Sequence, residues 1–305
     1  MTYIIIVNYN GWKDTLLCVK SILCSDVPDS KIVIVDNAST NDSVAQLSWY
    51  LADLSRLGSL QFPEWYIPST TVEGVPIHLV SSAQNNGFAA GNNYGVEQIK
   101  ADIKDSDLLW FLNNDTLITK GTLEALSEKL AAPEVSLVGS KVLDFGPHLG
   151  VQTFAGALDI LTGVNRTYRT QPRSRMRRLI YPSGVSLAIK FDTYLTIGGF
   201  DEQYFLYYEE LDLTAQLLQR GKNIAIADRS IVWHKQGAST GSKRNQKKHV
   251  FDVEKHKYRS ALLFYRKHYP RHLSSLKMFL TIKALKQLIK GQREHCQTII
   301  RELIR

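Results

Sequence analysis

Leu108-Leu109-Trp110-Phe111-Leu112-Asn113-Asn114-Asp115-Thr116 changes character in one step, from an unbroken apolar run to a polar cluster. A short continuous apolar run reads as a strand covered on both faces, the pattern of a parallel sheet held between helices. The polar residues then fall at the strand's carboxyl end, where open α/β sheets bind their ligands. Asp115 could hold a hard cation there, and a cation could hold a diphosphate. Asn and Asp are also the commonest turn formers, so these residues alone read first as a turn.

The flanking sequence repeats the same form. Tyr3–Val7 is a strand that ends in Asn8, and Ile32–Val35 is one that ends in Asp36 and Asn37. Ile77–Val80 is a third strand, and about Val135–Val142 another. Helical spacing is expected from about Asp14 to Leu23, from the capping run Ser39–Asp42 to about Leu57, and over about Gly121–Ala132. The small residues of Asn85–Gly95 suit a helix start that packs closely on its neighbour. Residues 58–76, with Pro63, Pro68 and Pro76, read as an irregular insertion. Strands alternating with helices predict βαβ units and a mostly parallel sheet.

Further on, Gly184–Ile189 reads as a strand, Asp192–Ile197 as a short helix and Gly198–Asp201 as a turn. A helix follows from Glu209 to about Arg220, stopped by Gly221. Ile224–Ala227 and Ile231–Trp233 are read as two short strands, with His234 ending the second. Residues 165–178 carry Arg166, Arg169, Arg173, Arg175, Arg177 and Arg178 without periodicity, and read as a mobile loop. Phe251–His268 and Leu273–Lys290 are helices separated at Pro270; in the second, Lys283, Lys286 and Lys290 share one face opposite a broad apolar one.

Composition sets bounds on the function. The chain of 305 residues, 44% hydrophobic and 22% charged, has the make-up of an ordinary globular protein. Cys18, Cys24 and Cys296 form no disulfide framework and no paired metal spacing, which fits a reducing compartment. The apolar start is too short for a signal peptide or membrane span, so a cytoplasmic location is the expectation. The net charge of +8 is unevenly placed. Residues 243–305 hold about 17 Lys and Arg against about four Asp and Glu, leaving a mildly acidic body with a basic tail. Such tails meet anionic partners, either nucleic acid or a membrane surface.

Asn8, Asp36 and Asp115 all end strands on one expected binding edge. A carboxylate after the second strand is where α/β nucleotide folds take hydrogen bonds from a ribose or base, although such Asp residues are often caps. Neither the Gly-rich dinucleotide fingerprint nor the phosphate loop ending in Gly-Lys-Ser/Thr is present, so a nucleotide would be held by another device, such as a cation on Asp115. Glu209, Glu210 and Asp212 crowd one helix start, where they act either as caps on the helix dipole or as a general base with a raised pKa. Glu210 and Asp212 point in different directions, so one of them faces the reacting centre. His234, after an apolar strand, is structural unless it shares the edge with Asp115.

In this order and spacing the motifs resemble those of the family 2 glycosyltransferases, with the GT-A fold, and most closely a rhamnosyltransferase-like branch that builds bacterial surface polysaccharides. The residues that carry the resemblance are Val7-Asn8-Tyr9-Asn10, Val35-Asp36-Asn37-Ala38-Ser39-Thr40, Asn85-Asn86-Gly87-Phe88-Ala89-Ala90-Gly91-Asn92 and Leu112-Asn113-Asn114-Asp115. Gly198-Gly199-Phe200-Asp201, Tyr207-Tyr208-Glu209-Glu210-Leu211-Asp212 and Trp233-His234 complete them. The resemblance covers residues 1–240, with a nucleotide-binding part over about 1–116 and an acceptor-binding part over about 117–240. Residues 241–305 are then a basic helical extension.

The resemblance implies a metal-dependent, inverting transfer from a nucleoside diphosphate sugar to an acceptor hydroxyl. The favoured donor is dTDP-rhamnose, otherwise a UDP-hexose, and the acceptor is a glycan or a lipid-linked oligosaccharide. Asp36 matches the residue that pairs with the base or ribose. Asn8, Tyr9, Asn92, Asn113 and Asn114 line the nucleotide. Asp115 matches the last carboxylate of the family's Asp-X-Asp metal motif, whose first position is Asn113 here. His234 matches a metal ligand, for Mn²⁺ or Mg²⁺. Glu210 matches the catalytic base, a position usually held by Asp. Glu209, Asp212, Arg175, Arg177 and Arg178 are acceptor or lid candidates, the arginines closing over diphosphates.

The tail is expected either to dock on an anionic inner membrane leaflet or to pack on the core or form a homodimer. A sugar-phosphate nucleotidyltransferase is an alternative enzyme, but residues 8–13 lack the Gly-rich, cationic loop that grips a triphosphate. A nucleic-acid-binding protein is a second alternative; the tail lacks aromatic-interleaved or zinc-spaced motifs, and no nucleic-acid partner is expected.

Overall fold

Alternate residues of each central strand belong to different cores, and this is what makes the protein a three-layer α/β structure. In the computed structural model, which describes residues 1–27, 29–68, 74–148, 150–173, 177–236 and 246–304, strand β1 spans Thr2–Asn8, β2 Ser30–Asp36, β3 Ile77–Ser81 and β4 Leu108–Leu112. Ile4, Ile6, Ile32, Ile34, Trp110 and Leu112 face one core. Tyr3, Ile5, Val33, Val35, Leu109 and Phe111 face the other. The first core is covered by helices α1 (Trp12–Leu23), α2 (Ser43–Leu51) and α4 (Thr122–Leu130). The second is covered by α3 (Gly87–Ile99), α5 (Phe191–Ile197) and α6 (Glu209–Gln219). Trp110 is fully buried, and its indole N–H donates to Ser186 Oγ at 2.9 Å, which satisfies the one polar atom it brings into the core.

β5 (Thr116–Ile118), β6 (Val135–Asp144), β7 (Val151–Thr153), β11 (Ser186–Lys190) and β12 (Asn223–His234) complete the large sheet, in the order β3-β2-β1-β4-β11-β6-β12-β5 with β7 beside β6. The β3-β2-β1-β4 half is parallel, β11 runs antiparallel between β4 and β6, and β12 is parallel to β6. The mostly parallel sheet and its flanking helices agree with the sequence reading. Ile224–Ala227 and Ile231–Trp233 form a single strand, whose register against β6 is irregular between Ala227 and Ile231. α2 ends at Leu51 and is followed by a 3₁₀ helix over Leu54–Ser59.

The Arg-rich segment is a correction to the sequence reading. It starts in strand β9 (Asn165–Tyr168) and ends in β10 (Arg178–Tyr181), which flank β8 (Ala155–Asp159) in a second, antiparallel sheet. Its periodicity was hidden because both faces of β9 are largely exposed. Arg178 pairs in register with Asp159, and its guanidinium lies 5.8 Å from the Tyr168 ring centroid. Arg177 is exposed, and Arg175 lies outside the described residues.

The basic extension comprises α7 (Gln246–His268), α8 (Leu273–Ile289) and α9 (Arg293–Ile304), the last not read from the sequence. It shares a third core with the small sheet and with the loop before α6. Leu158 and Tyr181 meet Tyr204, Tyr208 and Leu211 from one side and Tyr258, Phe264, Tyr265, Leu276, Leu280 and Ile299 from the other. Lys283 turns inward over the Tyr258 ring, 4.9 Å from its centroid, and does not extend the exposed lysine face.

Candidate active site

The carboxyl ends of β1, β2 and β4 lie side by side, because these three strands pair in parallel. Asn8 and Asp36 are register partners, and Asn8 Nδ2 donates to Asp36 Oδ2 at 2.7 Å. The Ser39 backbone N–H and hydroxyl donate to the same carboxylate at 2.9 and 2.7 Å. Asn8 Oδ1 accepts from the Thr15 hydroxyl at 2.8 Å. Both residues are buried, so Asn8 is a strut below the pocket and Asp36 shapes the loop above it. A carboxylate has about four lone-pair sites, and these three bonds leave about one for a ligand.

Asn92 and Asn114 are also buried supports. Asn92 Nδ2 donates to the Phe88 carbonyl of its own helix at 2.9 Å, and Asn114 Nδ2 to Thr15 Oγ1 at 3.0 Å. Tyr9 and Asn113 remain half-exposed at the strand ends.

Asp115 and His234 come together because β12 pairs antiparallel with β5, setting His234 opposite Thr116. His234 Nε2 lies 3.2 Å from Asp115 Oδ1, and both side chains are buried. Gln152, on β7, fixes the ring. Its amide Nε2 donates to the His234 carbonyl at 3.2 Å, so its Oε1, 2.8 Å from Nδ1, accepts a hydrogen bond from Nδ1–H. Nε2 is left facing the carboxylate oxygen. Cis ligands on a divalent cation with ~2.1 Å bonds stand about 3 Å apart, so the pair fits a metal site. Among the described residues no third His, Cys, Asp or Glu joins them. A Mg²⁺- or Mn²⁺-type ion held here would complete its shell with phosphate oxygens and water.

Glu210 reaches the same edge through β11. The Asn113 N–H donates to the Val185 carbonyl at 2.9 Å, and the neighbouring Gly184 packs on Glu210, where a Cβ would stand 3.6 Å from the Glu210 Cδ. The turn before α6 holds Tyr207 and Tyr208 at φ 70° and 75°, a left-handed conformation that side chains disfavour. Burial pushes the Glu210 carboxyl up to about 7, opposed by the helix N-terminal N–H it faces. Glu209, more deeply buried, is driven well above the carboxylate range by burial and then by the charge of Glu210. Its Oε1 has no hydrogen-bond partner among the described residues. Burial thus favours the protonated form of Glu209, while Glu210 is poised to accept a proton near neutral pH.

Asp212 faces away from this edge. His268 Nε2 donates to its Oδ1 at 2.6 Å, Gln216 Nε2 to its Oδ2 at 2.8 Å, and the Lys267 ammonium stands 3.0 Å from Oδ1. Burial alone would raise its pKa; the His268 and Lys267 contacts override that and hold it below the usual range. Sequence reasoning missed Gln152, Thr15, Ser39 and Asn93. Asn93 Nδ2 donates to the Phe200 carbonyl at 2.8 Å and ties α3 to the Gly198–Asp201 turn. No local pattern marks Gln152; Ser39 sits inside the Val35–Thr40 motif, and Asn93 directly follows the Asn85–Asn92 motif.

Comparison with known proteins bears on the family and the fold. Over 231 residues the chain is 23% identical to the low-salt glycan biosynthesis hexosyltransferase Agl10 of Haloferax volcanii, covering 75% of this chain and 64% of that protein, so the chain spans somewhat under two thirds of its relative. Among solved structures, the mannosyltransferase PcManGT of Pyrobaculum calidifontis, in complex with GDP-Man and Mn²⁺, superposes with a TM-score of 0.55 at 12% identity, over 99% of this chain and 73% of its own. GalNAc-T7 with UDP, GalNAc and Mn²⁺ gives 0.59 at 16% identity, over 85% and 49%. At these identities the likeness is one of fold. A family model described as Glycosyl transferase family 2 matches residues 3–192; Glu210 and His234 lie beyond the match. That match covers well over half of the chain, and the protein belongs to glycosyl transferase family 2.

Proposed function

We propose that this protein transfers a sugar, with inversion, from a nucleoside diphosphate sugar to a hydroxyl of a glycan or lipid-linked oligosaccharide. The observation that carries the reading is the convergence of a buried Asp115–His234 pair and a carboxylate of raised pKa, Glu210, on one sheet edge. Tyr9 and the loop shaped by Asn8, Asp36 and Ser39 receive the nucleoside, and Asn113 faces the phosphates. Asp115 and His234 would hold a divalent ion, which would supply positive charge for the departing diphosphate. Glu210 takes the proton from the acceptor hydroxyl as that oxygen attacks the anomeric carbon. Burial keeps its basicity high enough for the transfer, and Gly184 leaves room above it.

The order of the motifs supports dTDP-rhamnose as the first donor to test and a UDP-hexose as the second; the hexosyltransferase relative supports hexosyl transfer generally. The deciding experiment screens dTDP- and UDP-sugars with Mn²⁺ and Mg²⁺ for thermal stabilisation and for release of nucleoside diphosphate. Stabilisation by one sugar nucleotide that requires the metal, followed by nucleoside diphosphate release with an acceptor, is the expected result. Pyrophosphate release from a nucleoside triphosphate would overturn it.

A further inference from the structure

Helix α8 is apolar on two opposite sides, and only one of them is used. Leu276, Leu280 and Ala284 point into the third core. Directly opposite, Met278, Ile282, Leu285 and Ile289 recur at i, i+4, i+7 and i+11 and are 64%, 45%, 54% and 85% exposed. They form a stripe about 16 Å long over three turns, with exposed Leu288 beside it. An aligned row of four large apolar side chains on one surface marks an interaction site, whereas scattered ones do not. Exposed Lys286 and Lys290 line one edge of the stripe and Lys277 the other, and residues 273–289 contain no Asp or Glu.

We propose that this outward face of α8 docks the protein on an anionic lipid bilayer. The charge pattern selects this occupant. A second copy packing through the same stripe would set its own lysines against these, with no carboxylate on either helix to meet them. Anionic headgroups neutralise the lysines while the acyl boundary takes the stripe, the geometry of a helix lying in the interface. Among the described residues no helix is long and apolar enough to cross a membrane, so α8 lies on the bilayer. The inference is independent of the donor, the acceptor and the catalytic residues.

The test uses the full chain, because α7–α9 cover Tyr204 and Tyr208 and their removal would uncover that core. Flotation is measured with phosphatidylcholine vesicles and with vesicles containing about 30% phosphatidylglycerol. The protein is expected to float with the second and to be released at about 0.5 M salt. Ile282→Gln with Leu285→Gln should weaken partition on the order of tenfold or more. Lys286→Gln with Lys290→Gln should weaken it roughly twentyfold, on anionic vesicles only. All four positions are exposed, so circular dichroism of these variants should match the parent. Three results would each overturn the proposal: no flotation of the parent, flotation unchanged by Ile282→Gln with Leu285→Gln, or a dimer by light scattering that this double variant dissolves.

Discussion

His268 Nε2 donates to Asp212 Oδ1 at 2.6 Å, joining the last turn of α7 to the first turn of the helix that carries Glu210. Gln219 Nε2 sits 3.1 Å from His268 Nδ1. Lys267 bridges Asp201 at 2.7 Å and Asp212, clasping the two ends of the segment that leads into the helix bearing Glu210. Ser260 Oγ donates to the Leu206 carbonyl at 3.0 Å, and the Tyr208 and Phe264 rings pack at 5.4 Å. The extension therefore holds the left-handed Tyr207–Tyr208 turn in place.

Asp212→Ala should cost roughly 1–3 kcal/mol in urea unfolding, since it leaves the buried His268 and Gln216 side chains without the carboxylate they bond, while Lys267 keeps Asp201. The Asp212 pKa is depressed in the folded protein, so its contribution is present above the ordinary carboxylate pKa and is lost as pH falls through the folded value. The parent and Asp212→Asn should therefore converge in stability at low pH. A stability gap that persists in acid would rule out this clasp as its source.

Glu210→Gln should lower kcat by roughly 10²–10⁴ while leaving donor affinity, measured by titration calorimetry, close to the parent's. Activity of the parent should rise with pH through about 7, as the carboxyl loses its proton. The sign for stability is opposite. Because the folded pKa is raised, burial favours the protonated form, so the parent is penalised as pH rises through that value. Glu210→Gln should therefore be more stable than the parent above pH 7, by roughly 1–3 kcal/mol, with the difference fading below the ordinary carboxylate range.

Asp115→Ala and His234→Ala should each abolish the Mn²⁺-dependent part of thermal stabilisation by the donor. Gln152→Leu removes the partner that fixes the His234 ring, and should weaken metal affinity roughly 10–100-fold with all ligands in place. Titration of Mn²⁺ followed by its electron paramagnetic resonance signal reads this without turnover. Metal affinity unchanged in Asp115→Ala would move the ion elsewhere.

Gly87→Ala tests how α3 meets the turn before α6. Gly87 has φ +91°, and a Cβ there would stand 2.0 Å from the Phe205 carbonyl oxygen. The same carbonyl accepts from the Phe88 N–H at 2.9 Å. The substitution should destabilise by roughly 2–4 kcal/mol through backbone strain and displacement of residue 205, read as a lower urea midpoint.

The sequence by itself determined the covered, mostly parallel sheet and which strand ends share an edge. Unbroken apolar strands ending in polar residues are a local signal, and parallel pairing of such strands aligns their carboxyl ends. That is why Asn8, Asp36 and Asp115 could be placed on one edge before any contact was known. What those residues do there was decided by the tertiary structure. Asn8, Asn92 and Asn114 are closed inward by hydrogen bonds to Asp36, the Phe88 carbonyl and Thr15, and a side chain's free lone pairs depend on partners that folding brings near. Asp212 is turned toward His268, more than fifty residues away in sequence, and so away from the edge that Glu210 reaches. The Arg-rich segment lacked a period because its strands are solvated, and α8 had an apolar pattern on both sides, so only the packing of α7 and α9 against one of them shows which faces out.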